Sequence, residues 1–170
     1  ADEPPEAVGR RVAAALGGIG EHFKLHDMKL PVIVSVTIET MGTMLMGTEI
    51  SAALTTIDPY DIVSVFGMNC ATGPQEMEEN LRYICQNSPR PVFVMPNAGI
   101  PENIGGHTCY KLTPEELETH MRRYITEFGV RIIGGCCGTT AEHISRLAAL
   151  ATEVTPAERR VESAPSLASL

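Results

Sequence analysis

Four short apolar runs do most to limit what this chain can fold into: VIVSVTI at 32–38, IVSVFGM at 62–68, PVFVM at 91–95 and VRIIGG at 130–135. Each is β-branched or continuously apolar, as strands covered on both faces are. Helical patterns lie between them. Pro74 to Gln86 opens with proline in a first-turn position and acids behind it. Thr113-Pro114-Glu115-Glu116 is a cap, a first-position proline and a third-position glutamate, predicting a helix to about Phe128 that stops at Gly129. Thr139-Thr140-Ala141-Glu142 reads as a second capping box, opening a helix to about Ala151. Weaker helical patterns cover 49–57 and roughly 7–23. Strands alternating with helices imply an α/β fold of parallel βα units joined by right-handed crossovers. After residue 151, TEVTPAERRVESAPSLASL loses the periodicity and gains Pro, Ser and charge, which reads as a linker over 152–170 leading to a following domain.

The chain has 170 residues, 44% of them hydrophobic, enough for a substantial core. A net charge of −8 argues against nucleic-acid or anionic-membrane partners, whose phosphates repel an acidic surface. No apolar run approaches the roughly 20 residues that span a bilayer, and ADEPPEAVGRR has no signal-peptide layout. Five cysteines (Cys70, Cys85, Cys109, Cys136, Cys137) are an odd number, which favours reduced thiols in a cytoplasm.

Parallel α/β folds bind ligands at the carboxyl ends of their strands. The segments at those ends are ETMGTMLMGT, NCATGP, PNAGIPENIGGH and CCGTT, and they hold Cys70, Cys136 and Cys137. If the strands curl as in a barrel, three thiolates converge on one mouth. Three soft ligands with a fourth position open is the catalytic zinc pattern. Gly134 and Gly135 would let the strand end approach a metal, and the amides near Thr139 and Thr140 could receive a carboxylate. Other readings stand beside this one. Adjacent cysteines could be buried or form a redox pair, although redox pairs are usually spaced CxxC. Cys85 and Cys109 read as buried thiols. Asn69 reads as a brace beside Cys70, His143 as a supporting or surface group, and Met41, Met44 and Met46 as packing. Glu39 and His107 lie near the mouth without an evident task.

GMNCATGP (67–74), MPNAGIP (95–101) and GGCCGTTAEHI (134–144) together resemble the homocysteine S-methyltransferase family, over residues 28 to 151. The resemblance is nearest the homocysteine-binding module of the family's cobalamin-dependent, multi-module members. It implies a (βα)8 TIM barrel of which this chain carries the second half, four strands, with 1–151 as the homocysteine-binding domain. It implies Zn2+ held by Cys70, Cys136 and Cys137, with Asn97 supplying an oxygen when homocysteine is absent. Asn97, Gly135, Gly138 and Thr139 then line the substrate's seat. A complete barrel needs about 250 residues, so the implied partners are a missing N-terminal half-barrel and folate and cobalamin modules of a longer chain. The implied methyl donor is methylcobalamin held by another module. Two alternatives stay open: a single-module enzyme using betaine or S-methylmethionine, and a catalytically silent zinc-binding half-barrel.

Overall fold

A computed structural model describes residues 5–44 and 47–161, the side chains of 5–8 excepted; Met46 and the last nine residues of the expected linker lie outside the described residues. The elements run α1 (Pro5–Leu25), β1 (Val32–Val36), α2 (Ile50–Ile57), β2 (Val63–Asn69), α3 (Pro74–Asn87), β3 (Val92–Met95), β4 (Glu102–Ile104), β5 (His107–Cys109), α4 (Pro114–Thr126), β6 (Ile132–Ile133) and α5 (Ala141–Glu153). All four apolar runs form strands, and these pair in parallel in the order β1-β2-β3-β6. The strand expected across 130–135 is only two residues long, although Val130 is fully buried beside it.

Side chains alternate along each strand, so one set faces the helices. Val36, Phe66, Met68, Val92 and Val94 pack there against Met77, Leu81 and Ile84 of α3, Leu117 and Met121 of α4, and Leu147 and Leu150 of α5. The opposite set faces away from the helices: Ile33 and Ser35 of β1 pair with Val65 and Gly67, and Phe93 pairs with Gly67 and Ile132. This second face is only partly covered, and Ile33 is 56% exposed.

The helix signals work largely as read. Thr113 Oγ1 accepts from Glu116 N–H at 3.3 Å, and the Glu116 carboxylate accepts from Thr113 N–H at 2.8 Å. That reciprocal bond holds the Glu116 carboxyl below its usual range. Gly129, at φ +72, ends the segment after α4. At α5 the box is built differently. Its cap is Thr140, and the third-position partner is His143 rather than a glutamate. The apolar pattern also missed the β4–β5 hairpin, whose residues are almost all exposed. Its turn is Gly105-Gly106, both at positive φ, as a two-residue hairpin turn demands, and Asn103 Oδ1 accepts from Gly106 N–H at 2.9 Å.

Residues 154–160, expected to begin a linker, lie back along the domain. Ala157 N–H donates to Ile125 O, and the Arg159 guanidinium donates to the carbonyls of Cys85, Ser88 and Arg90. The Arg159 bonds satisfy carbonyls at and beyond the end of α3, and the Ala157 bond one at the end of α4, that no helical N–H can reach.

Cys85 sits in the core between these elements, 3% exposed. Burial pushes its thiol from 9.0 up to about 11, with Arg159 offsetting part of the effect. Folding therefore favours the protonated thiol. Its contribution to stability is complete below pH 9 and is lost as pH rises to 11. Across that window the unfolding free energy is expected to fall by about 2–3 kcal/mol on this account. Burial also raises the Tyr124 phenol, so the comparison must be with Cys85→Ala. Urea unfolding of both proteins at pH 8.5 and 10.5 checks it; equal pH slopes would sink the assignment.

Candidate metal centre

Cys70 follows β2, and Cys136 and Cys137 follow β6, so the two segments approach only because the sheet brings its strand ends together. Cys70 and Ala71 both adopt left-handed backbone, at φ 65 and 62. Such conformations cost about 1–2 kcal/mol per non-glycine residue, and they cluster where a site dictates the path. The turn is pinned by Cys70 N–H donating to Met95 O at 3.0 Å and Asn97 N–H donating to Thr72 O at 3.0 Å. The second segment is pinned likewise: Cys136 N–H donates to Pro96 O, and Ala98 N–H to Cys137 O. Asn97, 2% exposed, is the hub, with its Oδ1 accepting from Cys137 N–H at 3.1 Å.

The outcome is a cluster of three free thiols. Cys70 Sγ lies 3.7 Å from Cys137 Sγ, Cys136 Sγ lies 3.9 Å from Cys137 Sγ, and all three sulfurs fall within 4.8 Å of one another. Sulfurs bound tetrahedrally at about 2.3 Å from zinc stand about 3.8 Å apart. Two of the three spacings match that edge and the third lies within 4.8 Å, so the residues present suit a zinc ion with a small closing of the third edge. Among the described residues this is the one group of three or more His, Cys, Asp or Glu side chains spaced for a metal.

The other expected site residues fall at varied distances from this chemistry. Gly134 has Met95 against it, and a Cβ on Gly135 would stand 2.5 Å from the Thr139 side chain. Gly138, at φ +77, lies under the Tyr110 ring, where a Cβ would come within 2.2 Å. Both glycines are there for what they lack. Thr139 faces inward to its own loop, its Oγ1 donating to Cys136 O at 2.7 Å. The amides expected to receive a carboxylate are already engaged: Thr139 N–H with Cys136 O and Thr140 N–H with His143 Nδ1. Cys109 ends the hairpin, outside the cluster.

His143 supports the site from behind. Its Nδ1 accepts from Thr140 N–H at 3.1 Å, so the proton rests on Nε2, which donates to Leu112 O at 3.0 Å. This ties the start of α5 to the segment before α4. His143→Ala strands both partners near a buried position, and an expected loss of about 1–3 kcal/mol follows. Thermal unfolding measures it, with His143→Gln expected to recover part of the loss; an unchanged midpoint in the alanine variant would refute the role.

Two contributors escaped the sequence reading. Tyr110 lies over Gly138 with its phenol beside Cys137, and its pKa is raised by burial and by the neighbouring sulfurs. Only its place after a Gly-Gly turn hinted at a role. The other is Ser35, a polar residue in an apolar run, which donates to Asn69 Oδ1.

A thiol cluster at the carboxyl ends of a four-stranded parallel sheet places the chain in the class of α/β proteins whose sites lie at those strand ends. Residues 10–151 match the family model described as homocysteine S-methyltransferase, and the chain belongs to that family. It is 48% identical over 141 residues to methionine synthase of Mycobacterium tuberculosis (strain ATCC 25618 / H37Rv). It is 47% identical over 146 residues to methionine synthase of Mycobacterium leprae (strain TN). Each match covers 83% of this chain but only 12% of the relative's length. Among solved structures, the metallated form of the homocysteine methyltransferase MmuM from Escherichia coli superposes with a TM-score of 0.57 at 21% identity, over 82% of this chain and 41% of that one. The apo form gives 0.58, over 79% and 45%. The shared fold is part of a (βα)8 barrel. No helix among the described residues is long and apolar enough to cross a membrane.

Proposed function

We propose that this chain is the homocysteine-binding part of a methyltransferase that makes methionine, and that it acts within a longer protein of the methionine synthase kind. The observation that carries the reading is the three-thiol cluster, two of whose edges have tetrahedral spacing, on a chain of this family.

Cys70, Cys136 and Cys137 are the metal ligands. Zinc held there would supply the acidity that favours the thiolate of an incoming thiol, whose ordinary pKa is about 8.5, at neutral pH. Three cysteinates around a divalent ion leave a single net negative charge, which keeps the substrate sulfur electron-rich. The nucleophile is then homocysteine's own sulfur, and no side-chain base is needed. Asn97 is the oxygen donor for the empty state. Its Oδ1 accepts from Cys137 N–H and has a second lone pair that it would have to offer a metal. Gly135 admits the Thr139 side chain and Gly138 the Tyr110 ring, shaping the wall of the substrate's seat in this reading, and Thr139 holds the Cys136 carbonyl in place.

Methylcobalamin, carried by another module, is the methyl donor in this reading. Support for a longer chain comes from the 12% coverage of the mycobacterial relatives. The partly covered strand face and the exposed Ile33 and Leu30 mark where the rest of the barrel would pack.

The test is metal content followed by homocysteine titration of the reduced protein. About one zinc per chain is expected, with one proton released for each homocysteine bound and no such release with methionine. Metal-loaded protein that takes up homocysteine without releasing a proton would overturn the thiolate mechanism.

A further inference from the structure

The cluster has a polar attachment that metal ligation alone does not explain. Asn69 ends β2, and its Nδ2 lies 3.8 Å from Cys136 Sγ. Its Oδ1 accepts from Ser35 Oγ of β1. The register shows why this contact is possible. Ser35 lies opposite Gly67, and Asn69 is two residues further along the same face. Gly67 itself contributes no side chain to this face, and the Phe93 carbonyl and ring close over it.

Chemistry sets the orientation of the amide. A metal-bound thiolate has no proton and can only accept a hydrogen bond. The amide must therefore turn its N–H toward Cys136, which leaves Oδ1 facing Ser35, and the serine hydroxyl must donate. The three groups form a one-directional chain from Ser35 through Asn69 to sulfur.

We infer that Asn69, oriented by Ser35, is a positioning residue that hydrogen-bonds the Cys136 thiolate and sets how much electron density that sulfur gives the metal. This rests on the metal-thiolate reading proposed above. The N–H withdraws charge from one ligand only, so the three sulfurs are not equivalent. Hydrogen-bonding partners of metal ligands typically change metal affinity 10–100-fold when removed.

The experiment uses Co2+ as the spectroscopic stand-in for zinc, in the wild type and in Asn69→Leu, Asn69→Asp and Ser35→Ala. Losing the N–H makes Cys136 a stronger donor. The sulfur-to-cobalt charge-transfer band of Asn69→Leu is therefore expected at lower energy; because a thiolate without that hydrogen bond is also easier to protonate, metal is expected to pass to a chromophoric chelator about tenfold faster or more. Ser35→Ala is expected to shift the band the same way by less. Asn69→Asp, which sets a carboxylate against the thiolate, is expected to release metal fastest. Faster release with an unmoved band would mean a structural role only and would overturn the inference. If Asn69→Leu fails to fold, the more exposed Ser35→Ala decides: a shifted band supports the chain of bonds, and an unshifted one refutes it. Metal-loaded wild type with unshifted variants overturns this inference alone, whereas wild type that holds no metal overturns the proposed function with it.

Discussion

Cys136→Ser is expected to bind zinc about a hundredfold more weakly than the wild type, or worse. Structural zinc sites are worth about 10–16 kcal/mol in total, so each of four ligands contributes about 3 kcal/mol, or two decades in affinity. Serine cannot replace the thiolate, because its hydroxyl stays protonated at neutral pH and is a harder, poorer ligand. The same loss is expected for Cys70→Ser and Cys137→Ser, since the three sulfurs form one cluster. Cys109→Ser, outside the cluster, should bind as the wild type does. Competition with a chelator of known affinity at pH 7.5 measures all four. If Cys136→Ser stays within threefold of the wild type while Cys109→Ser drops, the ligands have been wrongly chosen.

Gly67→Ala is expected to be the most destabilising single substitution in the sheet, costing about 3 kcal/mol or more. A Cβ at Gly67 would stand 2.0 Å from the carbonyl oxygen of Phe93 and 2.5 Å from its ring. The ring could turn aside, but the carbonyl belongs to the paired strand β3 and cannot move without opening the ladder between β2 and β3. The damage should reach the metal centre, because Asn69 and Cys70 follow on the same strand and β3 leads into the loop of Asn97. Urea unfolding of metal-free protein isolates the stability term. A cost below about 1 kcal/mol would show that the strands can spread at this point, contrary to the close approach seen. A Phe93→Ala partner substitution separates ring from backbone: it should rescue little, since the shortest contact is with the oxygen.

The same pair of predictions shows where reading the sequence stops. That Cys70, Cys136 and Cys137 belong together was legible because each follows a run whose apolar continuity marks a buried parallel strand, and such strands end on one side of a sheet. The Thr113 box was legible because both halves lie within four residues. The box at α5 was half legible: a threonine cap was visible but placed one residue early, at Thr139 rather than Thr140, and a histidine taking the glutamate's place is held by Leu112, 31 residues away. The β4–β5 hairpin carried no apolar alternation, since its residues are almost all exposed, and only Gly105-Gly106 announced it. Residues 154–160 looked like a linker in composition. Their attachment depends on Arg159 finding three carbonyls around the end of α3, which no local pattern encodes.

By itself the sequence determined the four parallel strands, the helices between them and the family, because apolar period, caps and clustered motifs act over a few residues. Only the tertiary structure decided that two sulfur spacings match a tetrahedral edge, that Asn97 binds the Cys137 amide and that Asn69 stands between Ser35 and Cys136. Those depend on strand register and on the left-handed turn at Cys70 and Ala71, where a shift of one residue would turn every side chain to the other face.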